Sequence, residues 1–249
     1  MPQADFPRLL EAQYAGYTSD MPLWLSLAAT SGSPVLEVGC GPGRVLLALA
    51  QAGHEVYGLD NDPAMLQRLS RRLTPELSKQ VHLHLGDVRS FELGRRFPLV
   101  LLPCNTLASL DDAEAACALD AIRAHLTPHG LLAAELPHPN EALASLDEDE
   151  PLTDFVEPET GNPVQLYARQ VASPMSPFVD VLWKYDELLP DGRVLRTEVP
   201  TRYYLRAPEG MARMLSEAGF GSVQLHGDYD LSPYGPEALR LIVLATPAA

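Results

Sequence analysis

A short apolar run that stops at three closely spaced glycines constrains this chain more than any other feature. The run covers residues 35–38, and Gly39, Gly41 and Gly43 follow it at intervals of two. This pattern predicts a buried strand, a tight loop and then a helix over residues 45–52. Because glycine has no side chain and accepts positive φ, a ligand can lie directly against the backbone of such a loop.

Strands and helices alternate along the first half of the chain. Four more apolar runs predict strands over residues 54–59, 81–85, 97–102 and 131–136. Helical periodicity lies between them, at residues 63–73 and 113–126. Strands that alternate with helices form parallel sheets through right-handed crossovers. The fold class that we predict is therefore α/β, with a Rossmann-like, seven-stranded, mostly parallel sheet and helices on both faces.

The parallel pattern is interrupted after residue 137. A short helix is expected at residues 141–145, and strand-like runs follow at 164–172, 178–189 and 194–205. Pro190-Asp191-Gly192 joins the last two runs and is a hairpin signal. We therefore predict an antiparallel β insertion after the fifth strand. The helix that ends at Gly219 and two final strands, at 222–227 and 239–245, would complete the main sheet.

This organisation predicts a chain of three parts. Residues 1–33 would form an N-terminal helical cap, and residues 34–137 with 206–249 the Rossmann-like domain. Residues 138–205 would form the insertion, which emerges at the carboxyl ends of the strands. Ligands bind at that edge of an α/β sheet, so we expect the insertion to act as a substrate lid.

Composition excludes several classes of partner. The 249 residues carry a formal net charge of −15, which argues against nucleic acid and against an anionic membrane surface. No apolar run is long enough to span a membrane, and the first residues lack the pattern of a signal peptide. Three cysteines without C-x-x-C spacing indicate neither a disulfide framework nor a metal site. We therefore expect a cytoplasmic protein without a metal.

Two aspartates at strand ends have the chemistry of nucleoside ligands. Asp60 follows the second strand, where a carboxylate can accept hydrogen bonds from the hydroxyls of a ribose. A helix cap is the alternative at this position, but Asp62 before Pro63 is the better candidate for the cap. Asp87 follows the third strand and could accept a bond from an exocyclic amine, with a simple turn after Gly86 as the alternative.

The order of these motifs resembles the class I S-adenosylmethionine-dependent methyltransferases of the small-molecule type. The matching segments are residues 37–43, 58–60, 85–88, 101–105 and 126–132. The resemblance implies that S-adenosyl-L-methionine is the cofactor. The cofactor-binding residues that it implies, together with an aromatic side chain of the first helix, are Gly39, Cys40, Gly41, Gly43, Asp60, Asn61, Asp87, Val88, Pro103 and Tyr14.

The same resemblance assigns roles within that set. The backbone of residues 39–43 would meet the methionine part, Asp60 the ribose, and Asn61 the edge of the adenosine. Asp87 with Val88 would meet the adenine. Pro103 would lie beneath the sulfonium, and Tyr14 would close over the cofactor unless it only packs in the core.

The alternative class of enzyme is an NAD-dependent oxidoreductase. It would place its third glycine one position later than Gly43, and its pyrophosphate needs backbone donors at the helix N-terminus. Pro42 has no N–H to donate, and Glu37 adds a negative charge near the loop. A cationic cofactor without a phosphate suits this loop better.

Residues for catalysis and for the acceptor are harder to derive, because an activated methyl needs mainly alignment and desolvation. The catalytic candidates are His138, Tyr17 and Asn105. His138 could act as a base, or be an ordinary loop residue. Trp183, Arg202 and Tyr203 of the insertion are the substrate candidates, with sheet packing and a salt bridge as their structural alternatives.

The function predicted from the sequence is methyl transfer from S-adenosylmethionine to a small-molecule acceptor at nitrogen or oxygen. The fourth strand is followed by residues 103–106, which lack the Asn/Asp-Pro-Pro-Tyr sequence that DNA amino-methyltransferases carry there. A protein that binds S-adenosylmethionine or S-adenosylhomocysteine without catalysis is the alternative. A monomer or a homodimer fits this prediction.

Overall fold

The computed structural model of the protein describes residues 6–138, 150–172 and 177–248. Its α-helices are α1 (Phe6–Tyr14), α2 (Met21–Ser31), α3 (Arg44–Gln51), α4 (Pro63–Arg71), α5 (Asp112–His125) and α6 (Pro208–Glu217). The strands that build the main sheet are β1 (Val35–Val38), β2 (Val56–Asp60), β3 (Val81–Leu85), β4 (Phe97–Leu102), β5 (Leu126–Pro137), β10 (Phe220–His226) and β11 (Arg240–Pro247). The strands between β5 and β10 are β6 (Thr153–Val156), β7 (Pro163–Ala172), β8 (Phe178–Leu188) and β9 (Val194–Tyr204).

The main sheet has seven strands in the order β10-β11-β5-β4-β1-β2-β3. Its neighbours from β5 to β3 pair in parallel, whereas β11 is antiparallel to both β5 and β10. The predicted fold class is therefore confirmed. The chain order reverses beside β1, which places the glycine loop after β1 at the point where ligands bind in open α/β sheets.

Helices cover both faces of this sheet. One apolar cluster joins α2, α3 and α4 to one face, with Trp24 and Leu46 completely buried. The other joins α5 and α6 to the opposite face through Leu119 and Leu215. Successive residues of a strand point to opposite faces, which is why Val35 and Leu36 enter different clusters.

The insertion forms a second, four-stranded antiparallel sheet in the order β6-β7-β8-β9. The predicted hairpin is confirmed: Leu189 and Arg193 close it, and Gly192 has a φ of 84°. Helix α1 packs on this sheet through Leu9, and Tyr185 of β8 donates a hydrogen bond to Gln13 over 2.6 Å. Helix α1 thus contacts the insertion, and it also contacts α4 through the ion pair between Glu11 and Arg68.

Two details differ from the sequence predictions, and one prediction is not tested. Strand β5 begins at Leu126 rather than at residue 131, because Leu126 pairs with Phe97 before residues 127–130 leave the ladder. Strand β6 was not predicted, since it is short, largely exposed and acidic and has no apolar alternation to reveal it. The helix expected at residues 141–145 lies outside the described residues.

Within the parts of the chain that the structure describes, no helix is both long and apolar enough to cross a lipid bilayer.

Candidate functional site

A cavity of about 730 Å³ opens at the carboxyl edge of the main sheet. It runs from the glycine loop, beneath α1 and the start of α2, to the inner face of β9. Among the predicted site residues, the cavity is lined by Gly39, Cys40, Gly41, Asp60, Asn61, Pro103, Asn105, Tyr14, Tyr17 and Tyr203. The structure thus brings together residues from both halves of the chain.

The glycine loop is held by its own backbone and offers few free donors. The N–H groups of Gly39 and Cys40 bond the carbonyl of Leu59, and that of Gly43 bonds the carbonyl of Cys40. A side chain on Gly39, where φ is 71°, would collide with Thr106. Because these amides are already used and Pro42 has none, the loop suits a ligand without phosphates.

Asp60 sits at the end of β2 beside the same loop. Its two carboxylate oxygens accept the N–H groups of Gly41, over 2.7 Å, and of Asp62, over 2.9 Å. Each oxygen keeps further acceptor capacity towards the cavity. Asp62 caps α4 by accepting the N–H of Ala64, which confirms the sequence interpretation of that residue.

A second, smaller cavity of about 220 Å³ continues from the first. Val88, Asn61 and Leu59 line it, and its walls are mostly apolar. Asp87 does not line either cavity. It is bound instead by Arg89, whose guanidinium holds the pKa of Asp87 at about 2.

Two buried oxygens beside the main cavity have no hydrogen-bond partner, Oε2 of Glu37 and Oδ1 of Asn105. Burial raises the pKa of Glu37 from 4.5 to about 8. Glu37 is therefore mainly protonated at pH 7 in the free protein, and a cationic group placed against it would favour its carboxylate form. These unpaired acceptor oxygens therefore fit a ligand with ammonium and sulfonium groups.

Arg44, at the first position of α3, connects the cavity wall to the segment before α2. Its guanidinium donates to both carboxylate oxygens of Asp20 over 2.7 and 2.6 Å, and to the Cys104 thiol over 3.1 Å. Asp20 precedes α2, and its side chain accepts the indole N–H of Trp24 rather than capping the helix. Cys104 and Asn105 both have positive φ, 54° and 63°.

Oxygen and sulfur atoms of Asp20, Cys104 and Glu135 lie within 4.8 Å of one another. Such spacing could suit a metal ion, but the Arg44 guanidinium already contacts Asp20 and Cys104. The positive charge at this position is therefore supplied by the protein itself.

A hydrogen-bonded chain leads from the cavity wall into the sheet. The hydroxyls of Tyr17 and Tyr229 are 2.9 Å apart, and Tyr229 donates to Oε1 of Glu135 over 2.5 Å. The other carboxylate oxygen of Glu135 accepts the N–H of Cys104 over 3.0 Å. Burial raises the pKa of Glu135 above its ordinary value.

Two of the predicted acceptor residues, Tyr203 and Arg202, lie on opposite faces of β9. Tyr203 and Thr201 face the main cavity, whereas Arg202 points outward and pairs with Asp180 over 2.6 Å. Trp183 packs under the insertion sheet, in the cluster that includes Tyr203. His138 is buried and stacks on Tyr234 outside the cavity lining, so its position gives no support to a role as base.

Sequence reasoning did not identify Glu135, Tyr229 or Arg44 as site residues. Glu135 stands alone in the apolar run 131–136, and a single carboxylate in a strand predicted to be buried is a usable signal. Tyr229 lies in a loop between β10 and β11, and no local pattern distinguishes it.

The comparisons with known proteins agree with this geometry. Residues 35–130 match the family model described as a methyltransferase domain. The chain is 32% identical over 123 residues to dTDP-3-amino-3,6-dideoxy-alpha-D-glucopyranose N,N-dimethyltransferase of Streptomyces fradiae, which covers 49% of this chain and 46% of that protein. The chain thus spans about half the length of the curated relatives it matches.

Similarity to solved structures extends over nearly the whole chain. The CcbJ methyltransferase of Streptomyces caelestis superposes with a TM-score of 0.78 at 23% identity, covering 94% of this chain and 98% of that one. CalS10, an amino pentose methyltransferase of Micromonospora echinaspora, gives a TM-score of 0.73 at 24% identity, with 96% of each chain covered. These likenesses establish the fold. With the matched domain and the motif residues gathered around one cavity, residues 35–130 form a methyltransferase domain, and the chain is similar to S-adenosylmethionine-dependent methyltransferases.

Proposed function

We propose that this protein transfers a methyl group from S-adenosylmethionine to an amine nitrogen of a small-molecule acceptor. The observation that carries the proposal is the continuity of the main cavity. One space extends from the glycine loop at Gly41, past Pro103 and Asn105, to Thr201 and Tyr203 of the insertion. A cofactor and an acceptor can therefore meet inside the protein.

The residues around the cavity divide the work of holding the cofactor. The smaller cavity beside Val88 would take the adenine, and Asp60 would accept the ribose hydroxyls. Glu37 and the carbonyl groups of the glycine loop would receive the ammonium group. When bound, the cofactor supplies a methyl group already activated by the sulfonium. Tyr14 and Tyr17 then exclude water from the transfer position.

The lining of the cavity favours a neutral or cationic acceptor. Both guanidiniums that line it are already paired with carboxylates, Arg44 with Asp20 and Arg72 with Glu11. The lining also contains Glu37 and aromatic rings, which interact favourably with ammonium groups. The relative from Streptomyces fradiae and CalS10 are named for methylation of amino sugars, which supports the choice of nitrogen. Transfer to oxygen is the second candidate.

Two alternatives remain from the sequence. A protein that only binds the cofactor needs no acceptor space, and the cavity beside Tyr203 counts against it. An NAD-dependent oxidoreductase needs free backbone donors for a pyrophosphate, and the amides of Gly39, Cys40, Gly41 and Gly43 are already bonded within the protein.

Calorimetry followed by a transfer assay separates these possibilities. We expect S-adenosylmethionine and S-adenosylhomocysteine to bind and NADH not to bind. Labelled methyl should then appear on members of a panel of amino sugars and simple cyclic amines. Tight NADH binding without a response to the methyl donor would overturn the assignment. Cofactor binding with no transfer to amines or alcohols would favour the non-catalytic alternative.

The division into residues 1–33, 34–137 with 206–249, and 138–205 is part of the same proposal. So are the cytoplasmic location and the monomeric or homodimeric state. The packing of α1 on the insertion supports a joint role of α1 and residues 138–205 as the cover of the site, whereas α2 packs on the main sheet.

A further inference from the structure

The amine acceptor of the proposed function raises a chemical question that the cavity lining alone does not answer. An alkylamine is largely protonated near neutral pH, and an ammonium nitrogen has no lone pair with which to attack a methyl group. A base must therefore take one proton before transfer. His138, a candidate base from the sequence, is not among the residues that line the cavity.

We propose that Tyr17, Tyr229 and Glu135 form a proton relay that carries a proton from the acceptor ammonium to a buried carboxylate. The proposal rests on the proposed function. Tyr17 lines the cavity, and its hydroxyl is 2.9 Å from that of Tyr229. Because the proton of Tyr229 points to Glu135, Tyr17 is the donor between the two hydroxyls.

The transfer balances without any further reactant. An N–H bond of the ammonium breaks as an O–H bond forms on Tyr17, whose own proton moves to Tyr229. The proton of Tyr229 moves to Oε1 of Glu135. The net change is one ammonium to amine and one carboxylate to carboxylic acid. The same chain returns the proton to water after the product leaves.

The surroundings of Glu135 suit an acceptor of protons. Asp20, just before α2, and Cys104, just after β4, both lie next to Glu135, and Arg44 contacts Cys104 there. On the β11 side, Nε of Arg240 is 3.7 Å from Oε1 of Glu135. The guanidinium of Arg240 also stacks on Tyr229, and it is paired with Asp228. Burial and Asp20 raise the pKa of Glu135, while Tyr229, the Cys104 amide and Arg240 oppose that rise. A carboxylate whose pKa is raised above its ordinary value is a more effective base at pH 7.

Sinefungin tests the relay without knowledge of the acceptor. This analogue carries an amine on carbon where the cofactor carries its methyl sulfonium, whereas S-adenosylhomocysteine has no group there. The ratio of the two dissociation constants therefore reports how strongly the protein interacts with an amine at the transfer position. The ratio is measured by calorimetry for the wild type, Tyr17→Phe, Tyr229→Phe and Glu135→Gln, with Tyr167→Phe on the outer face of the insertion as the matched control.

We expect each relay variant to lose about tenfold or more of its preference for sinefungin, with the affinity for S-adenosylhomocysteine unchanged. Tyr229→Phe is the decisive variant, since it cuts the chain but keeps the charge of Glu135. A preference within twofold of the wild type in Tyr229→Phe and Glu135→Gln overturns the relay, even if Tyr17→Phe has an effect. Failure of the wild type to bind S-adenosylhomocysteine would reject the proposed function itself.

Discussion

The Arg44 guanidinium and the Asp20 carboxylate form a two-bond ion pair, with nitrogen–oxygen distances of 2.7 and 2.6 Å. Asp20 is completely buried, and the pair joins the segment before α2 to the helix that follows the glycine loop. The same guanidinium also donates to the backbone carbonyl of Tyr17. Arg44 therefore links the segment of Tyr17 and Asp20, which borders the cavity, to the helix that follows the glycine loop.

We predict that Arg44→Met destabilises the protein by about 3–5 kcal/mol, because Asp20 then stays buried without its cation. Denaturant unfolding measures this change. Arg202→Met is the matched control, since its ion pair with Asp180 is exposed to solvent and should contribute little to stability. Equal effects of the two substitutions would contradict the importance of the buried pair.

Asp60→Ala should weaken the binding of S-adenosylhomocysteine by about tenfold to a hundredfold, because bonds to a charged acceptor are lost. Asp87→Ala should weaken it less, since Arg89 engages that exposed carboxylate. Calorimetry with both variants gives the two affinities, and circular dichroism checks that they are folded. Normal binding by a folded Asp60→Ala variant would place the ribose elsewhere.

The stability of the protein should fall as pH rises through the pKa of Glu37. The folded-state pKa is raised from 4.5 to about 8, so the folded protein binds more protons than the unfolded chain between these values. The contribution of this group is therefore complete below pH 4.5 and is lost by pH 8. Glu37→Gln has no titrating group at this position and does not lose this stability. The unfolding free energy of the variant minus that of the wild type should therefore increase between pH 5 and pH 9. An unchanged difference in unfolding free energy would contradict this prediction.

Cofactor binding should release protons at pH 7. The protonated Glu37 of the free protein becomes a carboxylate when a cationic ligand is placed against it, because an opposite charge favours the ionised form. Calorimetry of S-adenosylmethionine binding in buffers of different ionisation enthalpy counts the protons. Glu37→Gln should bind more weakly and release fewer of them. Proton release that is the same in both proteins would assign it to another group.

Neighbouring residues of β9 should behave in opposite ways. Tyr203→Ala should reduce methyl transfer while cofactor affinity stays within about twofold of the wild type, because Tyr203 lines the acceptor end of the cavity. Arg202→Ala should leave both unchanged, since its side chain lies on the outer face. Steady-state kinetics and calorimetry report the two quantities. Loss of cofactor affinity in Tyr203→Ala would move the acceptor site away from the insertion.

The local sequence predicted most elements of the fold and the residues that we propose for the cofactor side of the cavity. The run of residues 35–43 predicted a strand, a loop and a helix. A short apolar run is typical of a buried strand, and closely spaced glycines are typical of a tight loop. The position of Asp60 at the carboxyl end of a strand could also be predicted, because the alternation of strands and helices locates the second strand of the sheet. The capping role of Asp62 also followed from local chemistry alone.

Only the tertiary structure showed which residues lie at the proposed acceptor side of the cavity. Glu135, Tyr229 and Tyr17 are separated by as many as 212 residues, and their hydrogen bonds exist only because β5, the loop after β10 and the segment before α2 converge. The choice between Tyr203 and Arg202 depended on which face of β9 covers the cavity. Burial of Glu37 in a folded core, rather than any property of its neighbours in sequence, sets its pKa. Local propensity acts over a few residues, whereas contacts and burial arise from the packing of distant segments.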